Sequence, residues 1–402
     1  MIQRQVYLDL LISFRDKRLI KVVTGIRRCG KSTLFELYQE YLRSEGVADE
    51  QIISVNLEEG EYDEIETYKQ LYSYVIDRIL PDKKMYIFLD EIQRATDFQK
   101  AVDSIYVKKN CDVYITGSNA YLLSGELATL LSGRYVEIKM LPLSFKEYVS
   151  SFPESMYPER LYADYIQNSA FPYAMEISRP KDRRLYLQGI YDTIVLKDII
   201  ARKKFPDVAM LKSVTRFMFD NIGNICSTKS IADTMTSAGR KISVHTVENY
   251  LTALTECFIL YQIGRYDVKG KQYLKTGEKY YIADIGLRYA LLGTKKADMG
   301  HILENVVFLE LIHRGYEVYI GKVGRAEVDF IAIGNEGEEY YQVAYTVIDT
   351  DGVTLQRELA PLMAINDHNP KYLLTMDSVP LTSHNGIKQI NALDWLLRGR
   401  VR

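Results

Sequence analysis

Residues 25–33 read Gly25-Ile26-Arg27-Arg28-Cys29-Gly30-Lys31-Ser32-Thr33, and no other stretch of this 402-residue chain restricts its fold as strongly. On the N-terminal side lies Leu19-Ile20-Lys21-Val22-Val23-Thr24, short, β-branched and apolar, which predicts a buried strand. On the C-terminal side Leu34, Leu37, Tyr38, Tyr41 and Leu42 recur at helical spacing, which predicts a helix over Lys31 to Arg43. Two glycines at such a strand-to-helix turn let the backbone curl its amides toward a phosphate, and the helix N-terminus adds about half a positive charge. In that setting Lys31 can reach β and γ phosphates and Ser32 can ligate magnesium. A bare glycine turn is the alternative reading. The pattern predicts an α/β fold whose parallel sheet carries the loop.

A second motif supports the ligand-binding reading. The apolar run Met85-Tyr86-Ile87-Phe88-Leu89 ends in Asp90-Glu91, about 60 residues after the loop, with a predicted strand (Gln51 to Leu57) and helix (Thr67 to Leu80) between. A buried strand delivering two adjacent carboxylates is the second half of a nucleoside triphosphatase site: Asp90 would hold magnesium through water, and Glu91 would orient and polarise the attacking water. The strand Asp112 to Thr116 ends in Gly117-Ser118-Asn119, whose polar side chains would face a γ-phosphate. Ser132-Gly133-Arg134 precedes the strand-like Tyr135 to Ile138, so Arg134 is a candidate for stabilising transition-state charge; ending a helix in a local salt bridge is its other reading.

The motifs GIRRCGKST (25–33), FLDEIQ (88–93), ITGSNAYLL (115–123) and GRYVEIKMLPLSFKEY (133–148) resemble the AAA+ (P-loop ATPase) superfamily. More narrowly the chain resembles a prokaryotic group of ATP-binding proteins in which an AAA domain is joined to a winged-helix segment and a C-terminal domain of unassigned function. The resemblance implies ATP and Mg²⁺ as ligands, a sensor at Ser118 or Asn119, and an arginine finger of the kind a neighbouring subunit commonly supplies, for which Arg134 is the candidate. It also implies the possibility of a homo-oligomer.

Downstream, Pro153, Pro158, Pro172, Pro180 and Pro206 punctuate helical patterns, which resemble a helical lid. The basic run Lys197, Arg202, Lys203, Lys204 reads as a partner contact or a solvated helix end. Helices over Lys229 to Ser237 and Ser243 to Glu256 flank a glycine turn, a helix-turn-helix pattern, with Ser243 as N-cap and Lys241, His245 and Asn249 on the exposed side. Strand-like Ile259 to Tyr266 and Gln272 to Lys275 around Lys269-Gly270-Lys271 resemble the wing of a winged helix. Over 203–280, 12 Lys/Arg stand against 7 Asp/Glu, a local balance of +5 that favours DNA, although winged helices also dock proteins.

From His301 the order of elements resembles the core of the PD-(D/E)xK nucleases, with Glu304 as helix acid and Asp329 as first strand acid. The next strand offers Gln342-Val343-Ala344 where that chemistry needs acid-x-lysine, so a non-cleaving domain is expected, with Glu327 and Asp329 structural or binding residues. The expected partition is an ATPase domain over 1–148, a lid over 149–212, a winged helix over 213–295 and a nuclease-like domain over 296–402.

Composition sets outer limits. A net charge of -2 gives no whole-chain preference for nucleic acid or anionic membrane. Cys29, Cys111, Cys226 and Cys257 are scattered, which suggests neither a zinc site nor disulfides, and no run approaches a membrane span. A cytoplasmic protein is expected. Its function is expected to be that of a switch that hydrolyses ATP and acts on DNA or protein; the rival is a slow ATP-gated binding scaffold, and an ATP-gated nuclease is disfavoured by Gln342 and Ala344.

Overall fold

The computed structural model describes residues 2–123, 131, 133–200, 203, 205–270, 272–293 and 298–398. Ser132, Arg202, Lys204 and Lys271 lie outside them. The chain forms two compact units, residues 1–142 with 256–258, and residues 143–255 with 259–402.

The first unit is a five-stranded, all-parallel sheet in the order β2-β3-β4-β1-β5, formed by β1 (Ile20–Thr24), β2 (Ile52–Asn56), β3 (Met85–Asp90), β4 (Cys111–Gly117) and β5 (Tyr135–Lys139). Its helices are α1 (Gln5–Ser13), α2 (Lys31–Ser44), α3 (Tyr68–Ile76) and α4 (Phe98–Tyr106). Strands β1 and β3 are buried along their whole length, the pattern of parallel strands covered on both faces. Lys21 interrupts β1, and its ammonium is neutralised by the buried Asp112 carboxylate, which also accepts from Tyr114 Oη at 2.7 Å. Losing either partner of such a pair leaves an uncompensated buried charge.

In a parallel sheet all strands deliver their C-terminal ends to one edge, where ligands bind. Thr24 at the end of β1 pairs with Gly117 of β4, and Asn56 of β2 pairs with Asp90 of β3. The predicted loop, acids and polar turn therefore share one edge.

The second unit is mostly helical up to Asp220, and Pro158, Pro172 and Pro180 each open a helix, where a missing amide hydrogen costs nothing. It then builds one nine-stranded mixed sheet, in the order β13-β14-β12-β11-β10-β9-β7-β8-β6. These strands are β6 (Ile225–Cys226), β7 (Leu260–Asp267), β8 (Gln272–Ile282), β9 (Glu317–Val323), β10 (Ala326–Gly334), β11 (Gly337–Ala344), β12 (Lys371–Thr375), β13 (Thr382–His384) and β14 (Ile387–Asn391). The β7–β8 hairpin is longer than the sequence suggests, and β7 also pairs in parallel with β9, Arg265 opposite Ile320. Strands from both sides of the expected 213–295 and 296–402 regions join this one sheet.

Candidate nucleotide-binding site

The loop between β1 and α2 takes its shape from three left-handed residues. Gly30 has φ 103°, Arg28 φ 70°, and Gly25, at φ 153°, lies so close to the chain that an added Cβ would meet the Met140 carbonyl oxygen at 2.1 Å. Only glycine fits at 25. Lys31 is buried, its Nζ donating to the carbonyls of Gly25 (3.0 Å) and Ile26 (3.4 Å). Ser32 is exposed and Thr33 half-buried at the start of α2; Arg28 is exposed, while Arg27 pairs with Glu58 at 2.8 Å. Cys29 is fully buried, and burial raises its thiol above the ordinary value, so it packs rather than reacts.

Across the strand ends, Glu91 adopts φ 48°, a conformation that costs a non-glycine residue about 1–2 kcal/mol. Its amide donates to Thr116 Oγ1 at 3.0 Å and to Asp90 Oδ1 at 3.1 Å, and Thr116 Oγ1 donates to the same carboxylate. Asp90 is thus fixed by the neighbouring strand. Glu91 Oε1 lies 3.8 Å from Lys31 Nζ, and Glu91 Oε2 accepts from Gln93 Nε2. Lys31, Asp90 and Glu91 are brought together.

Asn119, just after β4 on the same sheet edge, is only 2% exposed, with neither its amide nitrogen nor its amide oxygen hydrogen-bonded; Gln93 Oε1 is likewise buried without a partner. Buried polar groups are nearly always satisfied, so such orphans mark places where a ligand or water completes the structure. Neighbouring Ser118 takes a 3.4 Å bond from Gln93 Nε2. The glycine cradle, a buried lysine, two carboxylates and the orphaned amide together fit a nucleoside triphosphate with its divalent ion.

Sequence reasoning missed the support behind the loop. Arg4, just before α1, is buried and donates to the Cys29 carbonyl at 2.9 Å and the Leu141 carbonyl at 2.7 Å. It pins the loop from behind, across 25 and 137 residues of chain. Arg134, by contrast, does not reach the site. It sits at the N-terminal end of β5, whose first residue pairs with Ile20 at the start of β1, so it occupies the opposite edge of the sheet, 46% exposed and bonded to Asp103 at 2.7 Å.

In the second unit Glu304, Glu327 and Asp329 all lie within 4 Å of one ammonium, that of Lys279 on β8. Gln342 Nε2 donates to Glu358 at 2.9 Å, and Ala344 ends β11. Lys241, His245 and Asn249 are exposed around the helix Val244–Glu256, and Ser243 Oγ accepts from Thr246 N at 3.1 Å. No helix among the described residues is long and apolar enough to cross a membrane.

Comparison with known proteins places these features in context. An AAA domain matches residues 17–149, and a domain of unknown function (DUF8612) matches 159–298. An uncharacterized protein of Haemophilus influenzae is 42% identical over 403 residues, 99% of each chain. One of Methanocaldococcus jannaschii is 28% identical over 351 residues, 83% of this chain and 76% of that one. Among solved structures, the Walker-type ATPase of Pyrococcus abyssi aligns with a TM-score of 0.49 at 14% identity, covering 73% of this chain and 96% of that one.

Proposed function

The chain belongs to the family of the H. influenzae protein that it matches end to end, and it carries an AAA domain; from that premise we propose that it is a Mg²⁺-dependent ATPase used as a conformational switch. The observation that carries this reading is the unsatisfied amide of Asn119, buried on the sheet edge that also carries Lys31, Asp90 and Glu91.

In this reading the amides of 25–33 cradle the phosphates, and Lys31 leaves its two backbone carbonyls to reach the β and γ oxygens. Ser32 and Asp90 would hold the magnesium, which supplies charge neutralisation on the bridging phosphate oxygens. Glu91, positioned by its own strained backbone and by Gln93, polarises the attacking water. The Asn119 amide orients that water or the γ-phosphate, gaining the partners it lacks. A catalytic part for Arg134 would have to be played across a subunit contact, since its own site is at the far edge.

The helices 228–237 and 244–256 with the β7–β8 hairpin act as a winged-helix element that touches DNA, a role supported by the exposed Lys241, His245 and Asn249 and the local balance of +5. The C-terminal region does not cleave. Turnover measured with and without duplex DNA tests the coupling: stimulation by DNA is expected, and an unchanged rate together with no DNA binding would assign the element to a protein partner.

A further inference from the structure

Outside the nucleotide site, a buried charge cluster surrounds Lys279, on β8. This side chain is 6% exposed, and its ammonium lies 2.9 Å from Glu304 Oε1, 2.9 Å from Glu327 Oε1 and 3.9 Å from Asp329 Oδ1. The three acids come from the helix Met299–His313 and from β10. The cluster opens on a groove of about 640 Å³, so it is reachable from solvent.

Protein groups add further contacts to these acids. Tyr281 Oη donates to Glu304 Oε1, and Asp329 Oδ2 accepts from the Val343 amide at 2.9 Å. Gln342 draws Glu358, the next nearest acid, away at 2.9 Å and accepts from the Asp329 amide at 3.4 Å. Burial alone would push the Lys279 ammonium toward neutrality, but Glu304, Asp329 and Glu327 outweigh it and hold it protonated above its ordinary range. Burial, reinforced by Glu304, keeps the Asp329 carboxyl well above its own. Converging buried carboxylates require a cation between them, either an ion or an ammonium. Among the described residues, no group of three or more His, Cys, Asp or Glu stands in a geometry that could hold a metal ion.

We propose that Lys279 is a built-in substitute for a divalent cation: its ammonium occupies the position among Glu304, Glu327 and Asp329 that a metal would need, and so keeps one out. The inference rests on the reading of this region as non-cleaving and gives it a cause separate from the loss of acid-x-lysine at Gln342 and Ala344. Its N–H groups reach the Glu304 and Glu327 carboxylates at 2.9 Å, with Asp329 farther away at 3.9 Å, and so supply a cation's charge without its Lewis acidity. Removing the ammonium should convert the cluster into an ion site.

Manganese titration of the full nucleotide-free chain, by calorimetry and thermal melting, tests this. Wild type is expected to show no manganese binding that depends on Asp329, its isotherm matching that of Asp329→Asn. Lys279→Ala should gain one site, lose it again in Lys279→Ala/Asp329→Asn, and melt several degrees higher with manganese than without. Should Lys279→Ala not fold, Lys279→Met/Glu327→Gln, which removes one charge of each sign, carries the same measurement. Asp329-dependent binding in wild type, or a folded Lys279 variant that gains no site, overturns the proposal. Manganese-dependent cleavage of DNA by wild type, lost in Asp329→Ala, would separately overturn the non-cleaving reading.

Discussion

The loop site at residues 25–33 and the cluster around Lys279 both gather lysine and carboxylates in buried surroundings, but they are completed differently. At the first, Lys31 rests on two backbone carbonyls while Asn119 and Gln93 keep buried polar atoms unpaired. At the second, Lys279 is inserted among the acids, and Tyr281 Oη and the Val343 amide donate to Glu304 and Asp329. Buried orphans are costly, and a fold keeps them where a ligand repairs them; a closed ion network has no such need. The contrast separates a site that awaits a ligand from one that carries its own counter-charge.

The largest effect that could break this contrast is at the closed site. Lys279→Ala leaves three acids facing one another and should lower unfolding stability by about 3–5 kcal/mol, read by denaturant melts. A loss below about 1 kcal/mol would mean that the acids neutralise themselves and that the ammonium is incidental.

Asp284 sharpens the point, because it is a fully buried acid in the same unit with backbone donors in place of a cation. It caps the helix Ile285–Leu292 through the Leu287 amide (2.8 Å) and accepts from the Ala170 amide (2.6 Å). Burial pushes its carboxyl up to about 6, the backbone bonds pulling the other way. A group raised on folding stabilises below its unfolded value and loses that contribution as pH rises through its folded value; here the loss is about 3 kcal/mol between pH 4 and 7. Asp284→Asn is neutral throughout, so its stability relative to wild type should improve by that amount across the window. A pH-independent difference would show that the amides hold the charge as well as a cation does.

At the open site the expected change is smaller and of opposite sign. Asn119→Leu removes two orphaned atoms and should stabilise the nucleotide-free chain by about 1 kcal/mol while lowering ATP turnover. Destabilisation with normal turnover would make Asn119 a packing residue.

The two sites were also unequally legible in the sequence. Gly25 to Thr33 and Asp90-Glu91 are local signals, each fixed within a strand and the turn after it, and the parallel sheet brings them together. Arg4 and Lys279 act on partners 25 or more residues away, which no local pattern reports. For Arg134 the limit is related: a residue beside a strand is on its own sheet's ligand edge only if it follows the strand, and Arg134 precedes β5. For the β7–β8 hairpin the sequence shows the turn but not the pairing of β7 with β9.

The central claim is hydrolysis of ATP with Glu91 as the residue that polarises water. Steady-state turnover and equilibrium ATP binding, measured with Mg²⁺ on the same preparations of wild type and Glu91→Gln, test it directly. The account predicts turnover reduced about 10²–10⁴-fold with ATP binding retained. Equal turnover in the two proteins, or a wild type that binds ATP and never hydrolyses it, would contradict it.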